Sequence, residues 1–267
     1  MSTTIKLKTQ SVYRADLDAD PSYGEVADEA NAWFDYAKQL GDKKDMRGAI
    51  NALSRAIALD PFCGIYYRWR GHRHLNCGDI EDACADFTMA SRLIPDNWDV
   101  WYHLALCCVV LGRREYALYA HKRCWDISRD EPNDSTRIAV VNWCWINLSL
   151  MGRTQEADAL LEEYINADLD AGVDISYLRM CLAYKGNYPL EKLLEPQVED
   201  DEPILCVMTQ AFGLANYYLI KGDEGKYHQT INYIVTEGKP VWNCFGYACA
   251  SFIQRHSKGG HLDGKGK

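Results

Sequence analysis

Between residues 30 and 130 apolar positions recur in blocks, and each block reads as two amphipathic helices around a polar turn. The punctuation is periodic. Pro61 and Pro95 lie 34 residues apart, as do Gly78 and Gly112. Ala49, Ala83 and Ala117 fall on the same interval. A fixed period of this length marks a stacked array, because one helix pair has an apolar face it cannot bury alone. The longest uninterrupted apolar run, Leu104 to Leu111, is eight residues. A membrane-crossing helix needs roughly 20, so the pattern predicts no membrane partner.

Aligned on the period, the three blocks share a register. The first supplies Trp33, Tyr36, Ala37, Leu40, Ala49, Leu53, Ala56 and Pro61. The second supplies Tyr67, Arg70, Gly71, His74, Ala83, Phe87, Ala90 and Pro95. The third supplies Trp101, Leu104, Ala105, Cys108, Ala117, His121, Cys124 and Arg129. These fall at positions 4, 7, 8, 11, 20, 24, 27 and 32 of a repeat that resembles the tetratricopeptide family. Small residues at 8 and 20 let the two helices of a pair approach to about 8–10 Å. Proline at 32 ends the second helix. Arg70, His121 and the final Arg129 depart from the pattern. The expected fold is all-α, a right-handed helical-repeat solenoid of tetratricopeptide-like helix–turn–helix pairs with a C-terminal capping helix.

Beyond residue 130 the register slips. Residues 128–135 are a polar insertion. With Gly152 at a turn, Trp145 takes position 8, where a small residue is expected, so a wider crossing is predicted. Residues 173–195 read as a shorter pair around Gly186 and Asn187. Residues 199–202, Glu-Asp-Asp-Glu, read as an exposed linker before Pro203. The predicted organisation is an arm over 1–22, extended or disordered, and a solenoid over 23–255. Its regular repeats cover about 30–130 and its irregular repeats about 135–238. A capping helix over about 241–254 and a disordered tail over 256–267 complete it.

Composition narrows the partner. Charged side chains give a net −9, which argues against nucleic acid, since that needs a basic footprint. No apolar leader is visible at the N-terminus. The 11 cysteines are odd in number and irregular in spacing. They read as free thiols of a cytoplasmic protein rather than a disulfide framework.

Catalytic and cofactor motifs are not found: the sequence contains no phosphate loop, nucleophile elbow, His-Glu-x-x-His or Cys-x-x-Cys. No catalytic residue, metal or cofactor is therefore predicted. The unusual stretch is Tyr66 to His74, with three arginines and two histidines in an acidic chain. The resemblance implies that the first helix of each repeat lines a concave face, which puts Arg68 and His72 there, one helical turn apart. Asn76, Tyr102 and Asn142 join them by register, as do Phe212 and Asn216 further along. Arg68 with Asn76, Tyr102 and Asn142 is suited to a carboxylate or phosphate. The competing reading pairs Arg68 and Arg70 with acidic neighbours such as Asp99 or Glu81. The implied function is a protein-interaction or scaffold module with a protein or peptide partner bearing an acidic group. The alternative is an enzyme or small-molecule binder in an Arg/His/aromatic pocket. A further expectation is that Asp16, Asp18 and Asp20 of the arm occupy the groove.

Overall fold

The computed structural model describes residues 21–129, 133–197 and 200–257, with side chains from residue 25 on. The expected arm and tail, apart from their residues at 21–22 and 256–257, lie outside these ranges. Among the described residues there are twelve α-helices and no strand. Three regular pairs come first: α1 (Pro21–Asp42) with α2 (Met46–Leu59), α3 (Gly64–Asn76) with α4 (Ile80–Leu93), and α5 (Trp98–Val110) with α6 (Arg114–Ile127). Then follow α7 (Asp134–Leu150), α8 (Thr154–Tyr164), α9 (Ile175–Tyr184), α10 (Pro203–Ile220), α11 (Glu224–Glu237) and α12 (Phe245–Ser257).

The register predicted the crossings. Ala37, Gly71 and Ala105 are buried, and so are Ala49, Ala83 and Ala117 on the partner helices. A Cβ at Gly71 would come within 3.2 Å of the Phe87 ring, so even alanine is tight there. Helix starts are fixed by side-chain caps that accept backbone N–H groups, Asp45 for α2, Asn97 for α5 and Asn133 for α7. Inside the second and third pairs the turn is made by Gly78 and Gly112, both at φ 72°. In the first pair the same register position is Lys44, a non-glycine at φ 61°.

The fold begins on an uncovered face. Trp33, Tyr36 and Leu40 hold positions 4, 7 and 11 of the first repeat and line an open hollow of about 310 Å³ with Arg55. In the third repeat the equivalent Trp101, Leu104 and Cys108 are buried.

The second half departs from the expectation in two places. Residues 173–195 do not form a helix pair. After α9 the chain makes only a five-residue 3₁₀ turn, Leu190–Leu194, between Pro189 and Pro196. The acidic linker is not simply exposed either. Asp200 is buried and accepts from Arg179 of α9 at 2.8 Å, with side-chain exposures of 3% and 8%. A buried guanidinium needs a partner, and this carboxylate is one. Trp145 lies flat on Tyr184, ring centres 3.9 Å apart, and donates to Asp158 of α8. Helix α10 is apolar enough by length and composition to cross a membrane. Half of it is buried within the fold, where it packs on α7, α9, α11 and α12.

Candidate functional site

Helix α3 carries five basic side chains, and its two neighbours sort them. Arg70 faces its own partner helix, where it grips Asp86 of α4 with two hydrogen bonds of 2.8 and 2.7 Å. His74 reaches Asp79, 3.3 Å away. Arg68 faces α5 and donates from Nε to Asp99 at 2.6 Å. His103 Nδ1 lies 3.3 Å from the same carboxylate. Burial alone would raise the Asp99 carboxyl, but His103 and Arg68 outweigh it and hold it well below its usual range. Arg68 is thus in the ion pair with Asp99 that the sequence offered as the competing reading.

His72 is packed rather than poised. Its ring meets His103 at 5.1 Å and Phe245 of α12 at 5.2 Å. Burial, then the charges of His103, Arg68 and Arg73, push it down to about 3, so it is neutral near pH 7. Asn76 donates to the backbone carbonyl of Asn243 at 2.7 Å. Arg255 of α12 donates to the carbonyl of Gly78 at 2.9 Å. The C-terminal segment therefore lies across the face of α3 on which the sequence placed a groove. Gly246 lets the start of α12 pack on α10, since a Cβ there would meet the Met208 carbonyl oxygen at 2.5 Å.

The remaining predicted residues are interior. Tyr102 is stacked on Trp98 at 4.9 Å and accepts from Trp143 at 3.2 Å. Asn142 is 1% exposed, and neither of its side-chain polar atoms has a hydrogen-bond partner. With Trp143 and Phe212 it borders a hollow of about 10 Å³, roughly the room one water molecule takes. Asn216 donates back to the Phe212 carbonyl within its own helix. The predicted set is thus divided: Arg68, His72 and Asn76 cluster on α3, while Tyr102, Asn142, Phe212 and Asn216 are enclosed.

The part of the α1–α3 face away from α12 holds a different group. Trp69 lies under two guanidinium groups, Arg68 at 5.3 Å and Arg73 at 5.1 Å from its ring centre. Phe34 of α1 meets Trp69 edge-on at 5.6 Å, and Lys38 is 4.7 Å above Phe34. Tyr66 donates to Asn31 at 2.8 Å and fixes α1 against α3. Arg73 packs on Gly41, donates to Asn76 Oδ1 at 3.3 Å, and leaves its Nε without a partner. Among the described residues no carboxylate comes within ion-pair distance of Arg73, although its guanidinium is half-buried. Burial and the nearby Arg68 charge both lower it. Sequence reasoning passed over Trp69 and Arg73 because they sit one position beyond the expected concave stripe. Their spacing, one helical turn apart beside Arg68, was the available signal.

Among the described residues there is one group of potential metal ligands, with atoms of His74, Asp79 and Asp82 all within 4.8 Å of one another. The Arg47 guanidinium already holds Asp79 with two hydrogen bonds, so a cation occupies that carboxylate.

No protein-family model matches the chain. Two curated proteins do. It is 26% identical over 110 residues to anaphase-promoting complex subunit 3 of Schizosaccharomyces pombe. It is 28% identical over 113 residues to small glutamine-rich tetratricopeptide repeat-containing protein 2 of Saccharomyces cerevisiae. Each match covers 41% of this chain but only 16% and 33% of the relatives, so the chain spans a minor part of their length. Among solved structures it is similar to YrrB, described as a TPR protein with an unusual peptide-binding site, at TM-score 0.47 and 17% identity, covering 78% of this chain and 96% of that one. MamA gives TM-score 0.48 and 14% identity over 80% and 92% of the two chains. The register and the tetratricopeptide-containing relative from Saccharomyces cerevisiae agree on the class, a helical-repeat solenoid that resembles the tetratricopeptide repeat family.

Proposed function

We propose that this chain is a protein-interaction module that holds a short acidic segment of a partner over Trp69 and Arg73. The observation that carries this reading is Arg73, a half-buried guanidinium above an aromatic ring with no carboxylate within ion-pair distance among the described residues. A charge in such surroundings gains most from a carboxylate that arrives with a binding partner. Lys38, paired with Asp35, and Arg68, paired with Asp99, flank it, and Phe34 and Trp69 give an aromatic floor of the kind enriched at binding surfaces. The chain as a whole has net charge −9, so a local basic patch marks one place where an acidic segment is attracted rather than repelled. Similarity to a named complex subunit and to a tetratricopeptide-containing protein supports an interaction role. The small-molecule reading loses its support, because the hollow beside Asn142 and Phe212 is about 10 Å³. A reducing, cytoplasmic setting fits eleven free cysteines, most of them buried.

The test uses the full chain and a fluorescein-labelled peptide of Asp, Glu, Phe and Leu residues, with binding read by anisotropy. Wild type binds at low salt, and Arg73→Glu weakens binding by at least about tenfold. Arg92→Glu, on α4 away from the patch, leaves it unchanged. Equal binding by wild type and Arg73→Glu would overturn the reading.

A further inference from the structure

Helices α4 and α5 bring two thiols face to face. Cys84 and Cys108 have their sulfurs 3.9 Å apart, unbonded, across the seam between the second and third helix pairs. A third group joins them. Arg113, exposed just ahead of α6, donates from its guanidinium to the Cys84 sulfur at 3.2 Å. Buried structural thiols pack against apolar side chains and are inert. A thiol that lies against a second sulfur and accepts from a guanidinium is in surroundings that favour a thiolate.

We propose that Cys84 and Cys108 form a peroxide-reactive dithiol, with Cys84 attacking, Cys108 resolving and Arg113 holding the attacking sulfur as thiolate. The contact with Cys108 does most to lower Cys84, with Arg113 adding to it against the cost of burial. The other shifted thiols of the chain move upward; burial pushes Cys144, for one, up to about 12. The Arg113 guanidinium lies on the Cys84 sulfur, which assigns the attacking role to Cys84 and the resolving role to Cys108.

The chemistry balances. The Cys84 thiolate attacks one oxygen of a peroxide ROOH and the O–O bond breaks. The leaving alkoxide or hydroxide takes up a proton, and Cys84 becomes a sulfenic acid. The Cys108 sulfur then attacks the Cys84 sulfur. The S–O bond breaks, and the departing hydroxyl takes the Cys108 proton and leaves as water. Two thiols lose two electrons, and the peroxide gains them. The sulfurs must close from 3.9 Å to about 2.05 Å. The resulting disulfide joins the second helix of one repeat to the first helix of the next.

The experiment exposes the reduced full chain to stoichiometric hydrogen peroxide at neutral pH. Remaining thiols are then alkylated, and disulfide-linked peptides are mapped by mass spectrometry. The expected result is a loss of two thiols per chain, with Cys84 and Cys108 in one linked peptide. Cys108→Ser should instead leave a Cys84 sulfenic acid that dimedone traps. Arg113→Ala should slow Cys84 oxidation by about tenfold, as its thiolate fraction falls. The wild-type map does not depend on any variant folding. Full alkylation of Cys84 after peroxide exposure, another cysteine pair linking first, or an unchanged rate in a folded Arg113→Ala protein would overturn the proposal.

Discussion

In the first three helix pairs the crossing residues are Ala37, Gly71 and Ala105; in the fourth pair that position is Trp145. The early pairs therefore rest on one solution repeated, small residues that let backbones meet while large ones fill around them. The later helices rest on individual solutions. Trp145 lies on Tyr184, Arg179 is buried against Asp200, and α9 has a 3₁₀ turn where a second helix would stand. A repeated solution tolerates local error because each interface resembles its neighbours. An individual solution depends on a few specific contacts.

The sharpest way to break this contrast is at the buried ion pair. Asp200→Ala removes the carboxylate that Arg179 meets at 2.8 Å and should cost up to about 3 kcal/mol, read as a lower urea midpoint. Replacing both, as Arg179→Met with Asp200→Leu, should recover much of that loss. A single variant as stable as wild type would mean that the later helices do not lean on this contact.

Acid should separate the regions next. His121, in the third regular pair, is 2% exposed, with neither ring nitrogen bonded. Burial pushes it down to about 3, against about 6.5 for the unfolded chain. The unfolded state thus binds the extra proton between those values, and stability falls as pH drops below about 6.5. At pH 5 this amounts to about 2 kcal/mol. His72, lowered to about 3 as well, adds in the same direction. His121→Leu should reduce the difference in unfolding free energy between pH 7 and pH 5 by about 2 kcal/mol. An unaltered difference would mean that this histidine is not held neutral.

The smallest effect is a gain. Lys44 stands in a left-handed turn at φ 61°, where the next two repeats have glycine. Lys44→Gly should stabilise the chain by about 0.5–1 kcal/mol, seen as a raised melting temperature. A loss would show that the Lys44 side chain contributes more than its backbone strain removes.

These contrasts explain what the sequence could disclose. The crossings at Ala49, Ala83 and Ala117 were legible because a periodic constraint leaves periodic residues. Asp200 was not, since a carboxylate in an acidic run looks solvated until the fold delivers Arg179 to it. The site was legible in part. The basic stretch on α3 was visible, yet Arg68 sits against Asp99, and Tyr102 and Asn142 are interior. The return of residues 243–255 across α3 left no local signature, because that contact joins segments about 170 residues apart.

The return has a consequence for how the chain folds. An open array of repeats behaves nearly as a one-dimensional chain of neighbours and can fray from either end. Here Asn76 is tied to Asn243 and Gly78 to Arg255, 167 and 177 residues along. That contact closes the run from α3 to α12 into a circuit, so the C-terminal helices cannot open without breaking it, while α1 and α2 lie outside it. Closing so long a span adds little equilibrium cost, since each doubling of loop length adds only about 0.6 kcal/mol. It does raise the mean sequence separation of contacts, and such topologies fold more slowly. Helices α3 to α12 should therefore melt as one cooperative unit, with amides in α3 and α12 exchanging at a common rate, and the protein should refold more slowly than an open stack of the same helices.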